Sequence, residues 1–328
     1  METFRTVANE LSFSRAAAKL GYVQSSVSSQ VASLEQELGA PLFDRLGRTI
    51  ALTEAGRVML SYSERLLALA RETKEAVADA GVGSGEITGA LSISAPETLL
   101  TYRLPGLLAL FHERYPRVRV SLRPTAVGRL VGSTRRALEE GRVDVAFVMD
   151  GPVEIVGLPA EPLVEEDVSV IAPPAHALAD STLVTPQDLG EESVLLPEAP
   201  ESGCAYRGEF ERQLSAAGVV PQETLEFQSI EAIKRCVSAG MGVSVLPAVS
   251  VEAELAAGSL SELRWQEPSH VGTLMAWNGQ RWASPALRAF LQTARELFSA
   301  SQTRCGVRSA NFDRNAETLE RSQTAVDQ

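Results

Sequence analysis

Five hydroxyl side chains crowd one short stretch, QSSVSSQVAS, where Ser25, Ser26, Ser28, Ser29 and Ser33 follow Gln24 with no carboxylate between residues 24 and 33. The amide of Gln24 donates and accepts toward adenine, and a serine hydroxyl bonds either way. A lack of acid spares the segment repulsion from phosphate, so the set suits contact with base pairs. Serine is only tolerated in helices, and a helix facing water would ordinarily carry Glu, Lys and Arg. The serines therefore imply a helix that faces something other than water.

The second chemical candidate is Cys204 in ESGCAYR. At a helix N-terminus with Arg207 nearby a thiol is biased toward thiolate, which allows a redox-sensing reading. Neither Cys236 nor Cys305 is visibly placed to resolve a sulfenic acid, and none of His112, His176 and His270 is marked as a base for a nucleophile. Pocket lining or burial is preferred for Cys204, Cys236 reads as core, and the chain is not read as an enzyme. With no C-x-x-C pair and scattered histidines, neither a metal nor a cofactor is expected.

The elements that must position Gln24 and the serines are short helices with tight punctuation. Ser14 is expected to cap a helix through SRAAAKL, and Gly21 to end it in the left-handed conformation. In the next helix Val27, Val31, Leu34 and Leu38 recur at i, i+4, i+7 and i+11, one apolar stripe. Ser25, Ser29, Ala32 and Gln36 point away from it, with Ser28 and Gln24 on the flank. Two helices joined this way make a helix-turn-helix, whose second helix lies in the major groove. A helical hairpin with a Ser-rich solvent face fits the same spacing, but the next segment argues against it. PLFDRLGRTIAL reads as a hairpin with Arg45 and Arg48 around Gly47, and Thr53 caps a new helix that begins with Glu54. That is a winged arrangement.

Through AAAKLGYVQSSVSSQVASLEQELGAPLFDR and RTIALTEAG this segment resembles the DNA-binding domain of the LysR-type transcriptional regulators. The resemblance implies that Gln24 reaches the groove, that the polar positions after it contact bases or phosphates, and that the wing arginines contact the backbone or minor groove. The DNA-binding set is then Ser14, Gln24, Ser25, Ser26, Ser28, Ser29, Arg45 and Arg48. The chain departs from the family's pattern in three places. Val23 stands where a capping Ser or Thr is usual, which shifts the expected cap to Ser25 or Ser26. Ser29 replaces a common Arg. Met1 falls inside the expected first helix, so the start looks several residues short.

From Thr53 to about Ala80 runs a helix of about 27 residues, roughly 40 Å at 1.5 Å per residue, too long for so small a domain to cover. Met59, Tyr62, Leu66, Leu69, Thr73, Ala76 and Ala80 alternate spacings of three and four, the seam of a two-stranded coil. The family resemblance also makes it the dimer helix. GVGSGEITG, with four glycines in nine residues, reads as a hinge.

Beyond the hinge, ALSISA, LLALFHERY, VRVSL, a helix ending EEG and VDVAFVM make a βαβαβ order and predict a mostly parallel sheet; a second set runs through SVLLP, TLEF, IEAIKRCVSAG and VSVLP. FHERYPRVRVSL, LEEGRVDVAF and SIEAIKRCVSAGMGVSVLP resemble the effector domain of the same family, two α/β lobes of the periplasmic-binding-protein type. The expected fold is α/β multidomain: a winged helix-turn-helix over 1–57, a linker and dimerisation helix over 58–80 and a hinge over 81–89. Effector lobe 1 comes next over 90–163 and 269–300, lobe 2 over 164–268, and a disordered tail over 301–328.

Ligands of such lobes bind outside the carboxyl ends of strands, where helix N-termini present free amides. The readable junctions nominate Ser94, Pro96, Glu97, Thr98, Thr125, Phe147, Gly203, Cys204, Tyr206, Gln228 and Ser229 as effector-binding. Hydroxyls and amides suit a small anion or carboxylate, while Glu97 equally selects a cationic group. An ordinary helix cap accounts for each junction as well.

The whole chain sets the outer bounds. It has 328 residues, 45% of them hydrophobic, and a formal net charge of −12. From Met1 to Arg57 six basic residues meet six acids, so the acidity lies downstream. No uninterrupted apolar run reaches the roughly 18 residues of a membrane span, and no signal peptide opens the chain, which implies a cytoplasmic protein without membrane contact. The expectation is a transcription factor working as a homodimer or dimer of dimers. Its partners are double-stranded DNA, a small-molecule effector and, in an activator, RNA polymerase. A cytoplasmic solute sensor with an impaired DNA-binding head is the alternative.

Overall fold

The computed structural model of the protein describes residues 1–46, 49–81, 86–125, 132–150, 158–197 and 204–299. They form two compact units.

The first unit opens with α1 (Glu2–Glu10), α2 (Phe13–Leu20) and α3 (Gln24–Leu38), then a hairpin of β1 (Phe43–Leu46) and β2 (Thr49–Leu52), then α4 (Glu54–Gly81). Its small core gathers Phe4, Val7, Ala16, Ala17, Val27, Val31, Leu42 and Phe43. Phe43 is the hub, with its ring 5.4 Å from Phe4 and 5.7 Å from Phe13. Ser12, not Ser14, caps α2: its hydroxyl accepts from Arg15 N at 3.3 Å. The chain is already helical at Phe13, so Ser14 falls in the first turn, exposed. Gly21 ends α2 in the left-handed region, φ 70°. Neither Ser25 nor Ser26 caps α3, which starts at Val23 without a side-chain cap. At α4 the Thr53 hydroxyl accepts from Gly56 N at 2.9 Å, as its position predicts.

Two expectations about apolar stripes need correction. Val27 and Val31 are buried, but Leu38 is exposed because α3 outruns the core beneath it. Met59 packs on that core instead of joining the outer seam, and the exposed apolar stripe of α4 is Val58, Tyr62, Leu66, Leu69 and Val77. The opposite face of α4 is polar and committed to residues 136–144 and 280–284 of the same unit. Glu72 takes two bonds from Arg281 and one from Trp282 N, Arg142 pairs with Glu64 at 3.0 Å, and Ser61 donates to Glu140 at 2.7 Å.

The second unit carries β3 (Gly89–Ala95), α5 (Glu97–Tyr102), α6 (Leu104–Arg114), β4 (Val118–Pro124), the start of α7 (Gly132–Glu139), β5 (Val145–Asp150) and β6 (Ala160–Ala172). Next come β7 (Ser193–Pro197), α8 (Ala205–Ala216), β8 (Glu223–Phe227), α9 (Ile230–Ser238), β9 (Val243–Pro247), α10 (Glu252–Ala256), β10 (Ser261–Leu263), β11 (Ser269–Trp277) and a final helix, α11, over residues 285–299. The sheet order is β4-β3-β5-β11-β6-β9-β7-β8, with β10 beside β6. Among the described strands of the sheet, parallel pairing lies within the outer trios β4-β3-β5 and β9-β7-β8. The middle is antiparallel, which corrects the expectation of a mostly parallel sheet: β6 and β11 carry the chain between the trios in opposite directions. β6 runs unbroken through residues 163 and 164. Helix α11 returns to the first trio, where Phe290 meets Phe111 at 5.1 Å and Phe147 at 6.1 Å, edge to face. The tail over 301–328 lies outside the described residues.

Candidate nucleic-acid interface and effector junctions

Burying Val27 and Val31 turns the other side of α3 outward. Gln24, Ser25, Ser29, Ala32 and Gln36 are exposed, and Ser26 and Ser28 are half-buried at the margin. Gln24 Nε2 donates to Ser28 Oγ at 3.3 Å, so the amide rests along the helix with its oxygen uncommitted by that bond. Behind this face Lys19 pairs with Glu10 at 2.7 Å and holds its carboxyl below the usual range, which anchors α2 to α1. The hairpin register sets Arg45 opposite Ile50 and Leu46 opposite Thr49. Gly47 and Arg48 lie outside the described residues, as does the Arg45 side chain. What the geometry offers is an exposed helix face of hydroxyls and amides, free of charge over residues 24–33, beside a short hairpin, and a helix of this kind fits a major groove.

In the second unit the register Ala95 to Pro124 brings two junctions to one end of the first trio, and Thr125 N bonds Ala95 O at 3.0 Å. Ser94 is buried and donates to Arg123 O at 3.2 Å; Pro96 is buried and Glu97 exposed. Thr98 is 1% exposed, and its hydroxyl has no hydrogen-bond partner among the described residues. In the second trio Pro197 pairs with Phe227, so the ends of β7 and β8 lie side by side. There Cys204 is the buried N-cap of α8, Tyr206 is buried, Gln228 is exposed, and Ser229 caps α9 without a side-chain bond. Phe147 is fully buried against Phe290, its ring part of the core. Gly203 lies outside the described residues. Arg207 is engaged by Glu211 at 2.9 Å and Glu226 at 2.7 Å, so its charge is already matched by carboxylates near Cys204. Cys236 is half-buried rather than core.

The largest departure from sequence expectation is a buried polar cluster one helical turn beyond Thr98. Lys234, 4% exposed, donates to Tyr102 Oη at 2.9 Å, the Ser250 carbonyl at 3.0 Å and Glu254 at 2.7 Å, and pairs with Glu231 at 2.7 Å. Next to Tyr102, Arg103 forms a two-pronged pair with the buried Glu166 on β6, at 2.8 and 2.5 Å. A spacing of three between Glu231 and Lys234 is the sequence sign of a solvated surface pair. The bonds from Lys234 to Tyr102 on α5 and Glu254 on α10 bury the lysine, while Glu231 stays half exposed at the rim.

A winged helix-turn-helix and a two-lobed α/β domain with hydroxyls at its strand ends together define a ligand-responsive, DNA-binding regulator. Residues 1–57 match the model for bacterial regulatory helix-turn-helix proteins of the lysR family, and residues 84–299 match the LysR substrate binding domain. The chain belongs to the LysR family of transcriptional regulators. It is 39% identical over 296 residues to the HTH-type transcriptional regulator YwqM of Bacillus subtilis (strain 168), covering 90% of this chain and 97% of that protein. Full-length CbnR complexed with its target DNA superposes with a TM-score of 0.66 at 23% identity, over 90% of this chain and 97% of that one, a likeness of fold. The CcmR regulatory domain of Synechocystis PCC6803 in complex with 2-PG matches at 26% identity and a TM-score of 0.56, over 64% of this chain and 98% of that one. Among the described residues no helix is long and apolar enough to cross a membrane.

Proposed function

We propose that this regulator reads double-stranded DNA through α3. Gln24, Ser25, Ser26, Ser28 and Ser29 face base edges and nearby phosphates, Ser14 contacts the backbone at the start of α2, and Arg45 and Arg48 contact it from the wing. The carrying observation is that a helix packed firmly on one side presents hydroxyls and amides, with no charge over residues 24–33, on the other. Two copies pair through the exposed stripe of α4, as a homodimer or a dimer of dimers, on an inverted-repeat site.

A small effector binds at the strand ends, against Ser94, Pro96, Glu97, Thr98, Thr125, Gly203, Cys204, Tyr206, Gln228 and Ser229, with Phe147 behind them. The buried hydroxyl of Thr98, lacking a partner among the described residues, supports an oxygen-bearing ligand. CcmR's regulatory domain, which binds 2-PG, supports a small polar one. Effector binding shifts the populations of two lobe arrangements, which requires different affinity for each. The protein acts in the cytoplasm without catalysing a reaction and, in an activator, contacts RNA polymerase. The domain limits are those of the sequence: head 1–57, linker helix 58–80, hinge 81–89, lobe 1 over 90–163 and 269–300, lobe 2 over 164–268.

A gel-shift series against DNA upstream of its own coding region tests this. Log affinity should fall linearly with log salt, with a slope set by the number of phosphates neutralised. A chain that shifts no duplex at any salt would instead be a solute sensor whose head has lost its role.

A further inference from the structure

Glu35 sits on α3 three turns past Gln24, half-buried, and its Oε1 accepts from two backbone donors of another segment: Leu42 N at 2.7 Å and Phe43 N at 3.3 Å. The same segment is gripped from α4. Thr53 N bonds the Leu42 carbonyl at 3.1 Å, the Thr53 hydroxyl donates to Pro41 O at 2.7 Å, and a Cβ on Gly56 would come within 2.0 Å of the Leu42 oxygen. The Pro41–Phe43 backbone is thus held between the base-facing helix and the long helix. Phe43 is also the first residue of β1, two positions before Arg45. A two-stranded hairpin is marginal alone, so its placement depends on whatever holds its base, and two residues of strand carry a displacement there about 7 Å to Arg45.

We propose that Glu35 is a positioning residue that fixes the wing against α3, so that base contact from Gln24 and phosphate contact from the wing are made at once. This role rests on the proposed DNA binding. A carboxylate bonded to backbone amides is a strong, short tether, and two contacts on one rigid body bind together far better than two that move independently.

The test uses the full chain and the duplex from upstream of its coding region, with hydroxyl-radical footprints and salt slopes for wild type, Glu35→Ala, Glu35→Gln, Arg45→Ala and the double variant Glu35→Ala/Arg45→Ala. Glu35→Ala should lose protection at the flanks of the site while keeping the centre, and its salt slope should fall by about 1, the share of one phosphate contact, as in Arg45→Ala. The double variant should bind no more weakly than either single one. Both bonds end on one oxygen, so Glu35→Gln keeps the acceptor and should restore the flanks. Should Glu35→Ala melt the head, Glu35→Asp, one methylene short, carries the same comparison. Single-variant losses that multiply in the double variant, or flanks unchanged in Glu35→Ala, overturn this role alone. A wild-type chain that protects no sequence overturns the DNA-binding reading with it.

Discussion

The Lys234 ammonium lies 5.1 Å from the centre of the Tyr102 ring and bonds the same residue's hydroxyl, which ties α9 to α5 through one side chain. Replacing Lys234 with Met strands the carboxylate of Glu254 and the Ser250 carbonyl, so urea unfolding of the chain should show a loss of about 1–3 kcal/mol, and Tyr102→Phe about 0.5–1.5 kcal/mol. Burial alone would lower the lysine pKa, but bonds from Glu231, Glu254 and Tyr102 outweigh it and hold it well above its ordinary value. A lysine raised on folding contributes fully at neutral pH and below, and loses that contribution only as pH rises through the raised value. The Lys234→Met deficit should therefore be constant from pH 6 to 9; a deficit that vanished on moderate alkalinisation would contradict the cluster.

Glu75, on the committed face of α4, behaves in the opposite sense. Burial pushes its carboxyl up, Arg71 opposes that, and Asp144 and Glu72 add to it. The folded chain then holds the proton more readily than the unfolded one, so this group removes stability as pH rises from its ordinary carboxylate value through the raised one. Glu75→Gln should raise the melting temperature at pH 7 and narrow the gap between melts at pH 5 and pH 7. An unchanged gap would count against the assignment.

On the DNA, Gln24 and Arg48 should fail differently. Gln24→Ala should relax base preference at one position by about 1–3 kcal/mol. Arg48→Ala should weaken all sequences alike and flatten the salt slope by about 1. Gel shifts on a panel of site variants separate the two, and identical profiles would refute the division of labour.

Leu69 is 56% exposed in the middle of the apolar stripe of α4, with no role in its own unit's core. Leu69→Glu should leave the fold intact by circular dichroism and convert a dimer to a monomer in sedimentation. A wild type that already sediments as a monomer removes the stripe from consideration as a seam.

Thr98 supplies a control on the effector junction. Because its hydroxyl is buried without a partner among the described residues, Thr98→Val should leave stability within about 0.5 kcal/mol of wild type or raise it, since desolvation without a bond is what the change removes. A threonine that serves structure alone would show a clear loss in the same melt.

Much of the fold was legible because periodicity reports locally. The i, i+4 spacing of Val27 and Val31 names the inner face of α3, and the outward position of Ser25 and Ser29 is its direct consequence, without any knowledge of the rest. Gly21 and Thr53 work in the same way, since a left-handed residue and a hydroxyl cap are properties of a few neighbouring dihedrals. Ser14 misled because Ser12 offers the same chemistry two residues earlier, and only the turn leading out of α1 decides between them.

The sequence by itself determined the order of elements, the outward face of the base-reading helix and the family of the chain. The tertiary structure alone decided that Met59 turns inward while Leu38 stays out, that antiparallel β6 and β11 join two parallel trios, and that Lys234 and Glu166 are interior groups with partners. The physical reason is one of range. A helical or strand period is fixed by bonds within a turn or two, whereas the value of a charge or an apolar side chain depends on what meets it from distant parts of the chain. Glu35 reaches Leu42 across seven residues, and Lys234 reaches Tyr102 across 132.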